Sequence, residues 1–490
     1  MLFNSLTFIF FYLVVFALYW LLRARTPQNV LLLAASWIFY GAWSWKFLLL
    51  LLGSTLLDYV CGQLIANAAD RRRKRLVLIV SVTANLLFLA TFKYLGFFVT
   101  EFAALLERLG FNANLPVLEI VLPVGISFYT FQTIGYVVDV YRGKVPAARN
   151  LLTYALYVAF FPQLVAGPIE RAGHMFPQYE KDRVWSTPKF ESGLQLAVWG
   201  LFKKIVIADN LAPFVDAVFD GPTDYSGATL ITAMIFFAFQ IYCDFSGYTD
   251  TARGCARMLG FELIRNFNFP YIAKTPVEFW QRWHISLSQW FQDYLYYPLA
   301  MRYMRRGGFM SKYKAHIISM VLIGLWHGAN WTFIVFGLYW GVVIAVYLAV
   351  LDRTAGAARG GLVERMFGFA PRAREIGSVA LMFALVCVGW VFFRADSISD
   401  AWHFLAHAWS SAGLSDVSGA GIVDTRILWA LIIGLIVGEW IYRNFARVGP
   451  ELESGRLPAI AGRYALLAAM VVSAGATQLG AARPFIYFQF

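Results

Sequence analysis

The segment 325–330, which reads LWHGAN, contains the residue best suited to do chemistry in this sequence. Between Ile317 and Leu351 the chain has no Lys, Arg, Asp or Glu, and His327 is its only histidine. A neutral imidazole, whose pKa is ordinarily about 6.5, can accept a proton from a hydroxyl near pH 7. We therefore predict that His327 is a catalytic base. The alternative is that His327 only forms a hydrogen bond between helices.

A second histidine lies in the segment 278–288, which reads EFWQRWHISLS. His284 follows Trp280 by four residues, so a helix would place it near the apolar side, with Arg282 and Trp283 preceding it. His284 is a candidate second catalytic or substrate-orienting group, and Arg282 and Trp283 are candidates for substrate contact. The alternative is an interfacial histidine whose polar edge faces water.

Polar residues that follow an apolar run form a third candidate group. Asp244 and Ser246 lie in the segment 240–250, which reads QIYCDFSGYTD, and could cap a helix or line a polar tunnel. The segment lacks the strand–turn–helix setting of a nucleophile elbow, so a structural or tunnel-lining role is favoured. Trp326 and Asn330, on either side of His327, are further candidates for the substrate or tunnel surface.

Several other chemistries lack the residues that they need. The sequence has no phosphate-binding loop and no dinucleotide-binding glycine motif in a βαβ setting. Its four cysteines form no CxxC pair and are predicted to be buried thiols. His403 and His407 are four residues apart, but no acidic ligand is suitably spaced. We predict no metal site and no permanently bound cofactor, and these patterns do not identify the residues that bind a donor.

The composition indicates which class of protein positions these residues. Of the 490 residues, 59% are hydrophobic and 14% are charged, whereas soluble domains carry about 25% charged residues. Long, continuous apolar runs predict an all-α polytopic membrane protein, with about 11–13 transmembrane or re-entrant helices, and disfavour a β-barrel. The runs are 6–22, 29–42, 45–60, 76–92, 117–137, 151–168, 193–219, 228–243, 315–327, 331–351, 376–393, 426–442 and 464–480.

The length of the uncharged stretch around His327 predicts a break in it. As one helix, residues 317–351 would be about 52 Å long, but a bilayer core is about 30 Å thick. Gly328 and Asn330 are the plausible break, which places His327 at a helix end. In the segment 276–298, aromatic residues recur at spacings of three and four, which predicts an amphipathic interfacial helix.

The net charge of +12 fits basic cytoplasmic loops that contact membrane lipid better than it fits nucleic-acid binding. Arg23, Arg25 and the basic run 71–75 are separated by two predicted spans, so both loops can be cytoplasmic with the N-terminus outside. Lys203, Lys204 and the basic cluster 302–314 fit the same tendency. Contact with phosphates of coenzyme A is the alternative for these two groups.

Motifs through most of the chain carry a family resemblance. They are 122–129, 136–142, 161–169, 244–248, 266–271, 278–288, 325–330, 389–394 and 485–490. Together they resemble the membrane-bound O-acyltransferase family, and most closely its bacterial alginate O-acetylation subgroup. The resemblance implies that His327 is catalytic and that transmembrane helices surround a central tunnel. It also implies one integral-membrane domain, 1–490, with N-terminal spans 1–115, a catalytic core 116–400 and C-terminal spans 401–490.

The resemblance also implies substrates and partners. The donor is expected to be acetyl-CoA or another cytoplasmic thioester, and acetyl is passed outward across the bacterial inner membrane. The charge pattern described above makes the N-terminus periplasmic in that membrane. A periplasmic partner of the serine-hydrolase type then acetylates a polysaccharide. The loop 300–308 departs from the usual alginate-type pattern. The acceptor therefore stays open among alginate, cellulose, peptidoglycan and other exopolysaccharides, as do direct transfer or a covalent acyl-histidine and the oligomeric state.

Two other functions are compatible with these patterns. A D-alanyl transferase for teichoic acid would share the fold and take its acyl group from a carrier protein. A transporter or flippase would carry out no chemistry, but it is expected to show paired, repeated segments with charges near mid-membrane. No internal repeat is visible. A purely structural subunit is the remaining alternative if His327 only packs.

Overall fold

The computed structural model describes residues 1–111, 121–307, 311–356, 371–410 and 424–445, and also residues 483, 485 and 486. These ranges are almost entirely helical, and none of them contains a β-strand. The chain forms two compact units, Met1–Ala197 with Tyr248–Arg265, and Val198–Gly247 with Asn266–Phe490. The predicted all-α class is confirmed, whereas the central tunnel and the single domain stay predictions.

The first unit contains nine helices within the described ranges, and two further helices contribute to both units. The nine are α1 Leu6–Leu21, α2 Arg25–Gly41, α3 Trp45–Asn67, α4 Arg71–Lys93, α5 Leu95–Arg108, α6 Ile126–Tyr141, α7 Leu151–Ala159, α8 Phe161–Leu164 and α9 Ala172–Glu180. The shared helices are α10 Thr187–Phe202 and α12 Gly227–Met258.

The described helices of the second unit carry the motifs with candidate chemistry. They are α11 Asp209–Asp220, α13 Pro276–Arg282, α14 Ile285–Phe291, α15 Tyr297–Arg306, α16 Ser311–His327, α17 Trp331–Gly356, α18 Pro371–Arg394, α19 Ile398–Ser410 and α20 Thr425–Phe445. Two π-helical turns, Lys203–Ala208 and Gln292–Tyr296, join α10 to α11 and α14 to α15.

Five helices in the described ranges are long and apolar enough to cross a membrane. They are Trp45–Asn67, Arg71–Lys93, Gly227–Met258, Trp331–Asp352 and Glu375–Arg394. Their surfaces differ, because α4 exposes most of its side chains whereas most of α12 is buried. An exposed apolar helix surface is suited to lipid. The chain is a multi-pass membrane protein, as the composition predicts.

Several predicted apolar runs differ in extent from the helices that form. In the described part of the run 117–137, which starts at residue 121, the helix begins at Ile126. The run 151–168 divides at Phe160, and the run 193–219 contains a π-helical turn. Nearly every side chain of α6 and α7 is buried in protein. A helix that is apolar all round can be a core helix as well as a membrane span, and hydropathy does not separate the two. The run 464–480 lies outside the described residues.

The helices α16 and α17 form a tightly packed antiparallel hairpin, as the predicted break requires. A Cβ atom at Gly324 would lie 2.1 Å from the Phe333 carbonyl oxygen, and one at Gly337 would lie 2.4 Å from the Met320 carbonyl oxygen. Small residues permit such close approach of two helix backbones. The hairpin fixes the turn at 328–330, and therefore the position of His327 just before it.

Candidate active site

His327 is the last residue of α16, and the helix stops there because the chain must reverse into α17. A Cβ atom at Gly328 would lie 2.0 Å from the ring of Phe333, so the turn has no room for a side chain at that position. The side chain of His327 is buried. Its ring lies 5.0 Å from the Phe393 ring and 6.0 Å from the Phe336 ring, centroid to centroid. The predicted helix-end position of His327 is confirmed.

The predicted continuous helix over 276–298 is wrong, because the chain breaks at His284. Two seven-residue helices, α13 and α14, flank a left-handed backbone at His284 with φ 42° and ψ 56°. Trp280, Trp283 and Leu287, expected at a membrane interface, are instead buried inside the protein. Their spacing of three and four reflects core packing on two short helices.

The break at His284 is held by the preceding segment. The Asn266 carbonyl oxygen accepts a hydrogen bond from the Ile285 N–H at 2.9 Å. The Asn266 side-chain oxygen accepts one from the Ser286 N–H at 3.1 Å. Asn266 thereby satisfies N–H groups at the start of α14 that have no partner within the helix. Because non-glycine residues rarely adopt this conformation, these bonds help to retain it.

The two candidate histidines come together in the second unit. The centroids of the His284 and His327 rings are 6.4 Å apart. The Trp326 ring packs against both, with its centroid 5.0 Å from that of His327 and 5.7 Å from that of His284. Phe245 packs edge-on against His284 at 4.6 Å. The predicted catalytic pair and one predicted tunnel residue, Trp326, therefore share one buried aromatic environment.

Burial sets the protonation state of His284. The residue is fully buried and lies outside the five membrane-length helices. Loss of hydration disfavours the charged imidazolium and lowers the pKa of His284 to about 3. The ring is neutral at pH 7, so one nitrogen can donate a hydrogen bond and the other can accept one.

Asp244 and Ser246 are buried in the same unit but bind lysines. Lys203 Nζ donates to Ser246 Oγ at 2.8 Å. Lys204 Nζ donates to Asp244, and it also pairs with Asp209 at 2.9 Å. The close approach depends on Gly247, where a Cβ atom would lie 2.6 Å from the Gly200 carbonyl oxygen. Neither lysine is the exposed, loop-type charge that the sequence suggested, since both are buried.

Two further predicted residues, Arg282 and Trp283, contact neighbouring side chains and backbone. Arg282 pairs with Glu278 at 2.8 Å and donates to the Asn268 carbonyl oxygen at 3.0 Å. Trp283 packs among aromatic rings, with Trp390 at 4.8 Å.

The remaining predicted residue, Asn330, caps the turn after His327. Its amide donates to the Asp396 carbonyl oxygen at 2.9 Å, and its side-chain oxygen accepts from the Thr332 N–H at 3.1 Å. These contacts position the elements around the histidines.

The basic cluster 302–314 is described in part. Arg302 and Arg305 are exposed on α15 and line a surface pocket of about 450 Å³ together with Pro298 and Met301. Among the residues that the structure describes, no group of three or more His, Cys, Asp or Glu side chains is placed to hold a metal ion.

Comparison with known proteins identifies the family. A family model described as "MBOAT, membrane-bound O-acyltransferase family" matches residues 147–389. The protein named "Probable alginate O-acetylase AlgI" of Azotobacter vinelandii is 36% identical over 100% of both chains. This chain belongs to the membrane-bound O-acyltransferase family. It is an O-acyltransferase, and the family resemblance drawn from its motifs is confirmed.

More distant members have other named activities. The peptidoglycan O-acetyltransferase of Helicobacter pylori is 35% identical, over 85% of this chain and 81% of that protein. The teichoic acid D-alanyltransferase of Streptococcus thermophilus is 28% identical, over 46% of this chain and 56% of that protein.

Two residues near the histidines of this O-acyltransferase escaped the sequence analysis. Phe245 contacts His284, and Phe485 contacts Phe245 with 5.3 Å between ring centroids. Both are apolar side chains within the motifs 244–248 and 485–490, and neither lies next to a candidate histidine in the sequence. Their membership in motifs was the available signal.

Proposed function

We propose that this protein is an inner-membrane O-acetyltransferase in which His327 is the catalytic base and His284 orients the reacting groups. One observation carries the proposal: the folded chain places these two histidines, 43 residues apart in sequence, with ring centroids 6.4 Å apart. Both lie in a buried aromatic environment, where protein dipoles replace water and electrostatic interactions are stronger.

The proposed reaction needs only the groups of the two substrates and the histidines. The neutral His327 ring accepts the proton of an acceptor hydroxyl while the hydroxyl oxygen attacks the carbonyl carbon of an acetyl thioester. A C–O bond forms, the C–S bond breaks, and the proton passes from His327 to the departing thiolate. The products are an acetyl ester and the free thiol. A covalent acyl-histidine would reach the same products in two transfers.

His284 complements this chemistry as a neutral donor. Negative charge develops on the thioester carbonyl oxygen during attack, and an N–H group fixed nearby stabilises it. Base catalysis by His327 contributes about 10²–10⁴-fold in rate. Alignment of donor and acceptor beside the two rings supplies a further part of the acceleration.

The substrates are proposed from the relatives. Relatives that match 85–100% of this chain and are named for O-acetylation of alginate or peptidoglycan support an acetyl group and a cell-envelope polysaccharide as the final acceptor. We propose acetyl-CoA as the cytoplasmic donor and a periplasmic partner of the serine-hydrolase type that acetylates the polymer. D-alanyl transfer is the less favoured alternative, because the relatives with that name match less than half of the chain.

The orientation in the membrane follows from the basic residues at helix ends. Arg23 and Arg25 lie at the turn between α1 and α2, and the basic run 71–75 opens α4. We infer that the intervening helices α2 and α3 both cross the membrane, which puts the two basic groups on the same side. The positive-inside tendency makes that side cytoplasmic and the N-terminus periplasmic.

The proposal is tested with the purified protein in nanodiscs and radiolabelled acetyl-CoA. We expect His327→Ala to lower the release of CoA, or the transfer of label, by about 10²–10⁴-fold. His316→Ala is the matched control, since His316 lies on the same helix and packs against Tyr296 at 4.3 Å. It should retain activity within about two-fold.

The outcomes separate the alternatives. A folded His327→Ala protein with undiminished transfer would refute the assignment of the base. If wild type is inactive with acetyl-CoA, alone and with the candidate partner, but active with a D-alanyl carrier protein, the acetyl donor is wrong. No transfer from either donor would favour a transporter.

A further inference from the structure

Arg483, Phe485 and Ile486 all contact the second unit, with Phe485 and Ile486 buried and Arg483 partly exposed. The Ile486 N–H donates a hydrogen bond to Asp244 Oδ2 at 2.8 Å, across 242 residues of sequence. Arg483 Nη1 donates to Asp216 Oδ2 at 3.1 Å. These two hydrogen bonds, three residues apart, hold Arg483 and Ile486 in place.

The acceptor of the Ile486 N–H is the buried carboxylate of Asp244, which needs hydrogen-bond donors. Lys204 lies between the carboxylates of Asp244 and Asp209, so one ammonium faces two carboxylates. Asp244 is almost fully buried, and its second oxygen is the one that accepts the Ile486 N–H. A buried carboxylate is costly unless its oxygens receive hydrogen bonds. The backbone N–H of Ile486 therefore stabilises the buried carboxylate of Asp244.

The anchored segment supports the wall beside His284. Phe485 is 1% exposed and packs against Phe245 at 5.3 Å, and Phe245 packs edge-on against His284 at 4.6 Å. Phe267 contacts Phe245 from another side at 5.0 Å. Side chains in such a core have few voids to move into, so each ring restricts its neighbour.

We propose that Phe485 is a positioning residue for His284, held in place by the Ile486–Asp244 hydrogen bond and acting through Phe245. The inference deepens the proposed function and rests on it, because it assigns a further residue to the same site. Phe485 packs directly against Phe245. Its effect is to hold the Phe245 ring, and through it the imidazole of His284, in one place.

The test compares Phe485→Ala with Phe485→Leu in the full-length protein. The alanine variant leaves a void beside Phe245, so we expect kcat to fall by about 10–100-fold while KM for acetyl-CoA changes less than about three-fold. Leucine refills most of the void and should restore kcat to within about three-fold. Phe485→Val replaces the alanine variant if the latter does not fold.

A matched control separates positioning from stability. Phe404 on α19 is equally buried and stacks on Phe219 at 4.5 Å. Phe404→Ala should cost similar stability, but its kcat per folded molecule should equal that of the wild type. Equal kcat in Phe485→Ala and wild type, or equal losses in both alanine variants, would overturn the proposal.

A second readout is independent of catalysis. Diethyl pyrocarbonate modifies accessible imidazoles, and mass spectrometry can follow its reaction at His284. We expect modification at least about five-fold faster in Phe485→Ala than in wild type, and unchanged in Phe404→Ala. Unchanged labelling in Phe485→Ala refutes the packing argument even if the wild type transfers no acetyl, so failure here and failure of the proposed function are distinguishable.

Discussion

His284 occupies a backbone conformation that few residues adopt. Its φ of 42° lies in the left-handed region, which costs an L-residue with a side chain roughly 1–2 kcal/mol. Backbone strain of this kind concentrates at sites where a side chain must point in a particular direction. Asn266 retains the conformation through two hydrogen bonds, and the His284 ring centroid lies 6.4 Å from that of His327.

The support from Asn266 leads to a prediction. Asn266→Ala removes the acceptor for the Ser286 N–H, so we expect kcat to fall by about ten-fold through loss of His284 alignment. Its cost in stability should be about 1 kcal/mol, as for other helix-capping residues. The measurement is acetyl transfer from radiolabelled acetyl-CoA together with a thermal melt.

The control for this substitution is Asn210→Ala. Asn210 donates to the Val206 carbonyl oxygen at 2.9 Å and so makes a comparable backbone contact away from the histidines. We expect a similar loss of stability with kcat unchanged. If both variants lose the same activity, Asn266 has no special role at the site.

At the scale of elements, the hairpin of α16 and α17 was predictable and the break at His284 was not. The hairpin is indicated by local sequence alone, because the uncharged stretch is too long for the bilayer and is interrupted by Gly328 and Asn330. The break at His284 depends on Asn266, which lies 18 residues earlier in the sequence and reaches this region only in the folded chain. The periodic aromatic residues around His284 favour one helix, and tertiary hydrogen bonds override that preference.

The close packing of the hairpin predicts intolerance to a single methyl group. Gly337→Ala would place its Cβ 2.4 Å from the Met320 carbonyl oxygen, so α16 and α17 must separate or distort. We expect a fall in melting temperature of several degrees, corresponding to about 1–3 kcal/mol. Thermal denaturation followed by size-exclusion chromatography measures it.

Gly434→Ala serves as the matched control for this prediction. Gly434 lies in α20, and a Cβ there meets no atom within 4 Å. Because alanine has the higher helix propensity, this variant should be as stable as wild type or more so. Equal stability of the two variants would show that the hairpin can relax around a larger side chain.

At the scale of the whole molecule, hydropathy predicted the class of protein better than the boundaries of its spans. The helices α3 and α4 match predicted runs and are long enough to cross a membrane. The apolar runs that gave α6 and α7 are buried in protein instead. Lipid and protein interior both accept apolar side chains, so composition alone cannot assign a helix to one or the other.

The proposed orientation can be tested by labelling. The four native cysteines are buried, so a single new cysteine at a turn should dominate the signal. We expect Ala42→Cys, at the turn between α2 and α3, to react with a membrane-impermeant maleimide added to intact cells with a permeable outer membrane. Ala69→Cys, between α3 and α4, should react only after the inner membrane is opened. The opposite pattern would place the N-terminus in the cytoplasm.

The hydrogen bond between Asp244 and Ile486 limits when the core around Asp244 can be completed during synthesis. Synthesis proceeds at roughly 5–20 residues per second, so the 242 residues that separate the two partners take about 12–50 s to make. During that interval the Asp244 carboxylate has the Lys204 ammonium as its charged partner but lacks the Ile486 N–H. Insertion of the earlier helices therefore precedes completion of the core around Asp244. The core around Asp244 is therefore complete only after Ile486 has been synthesised.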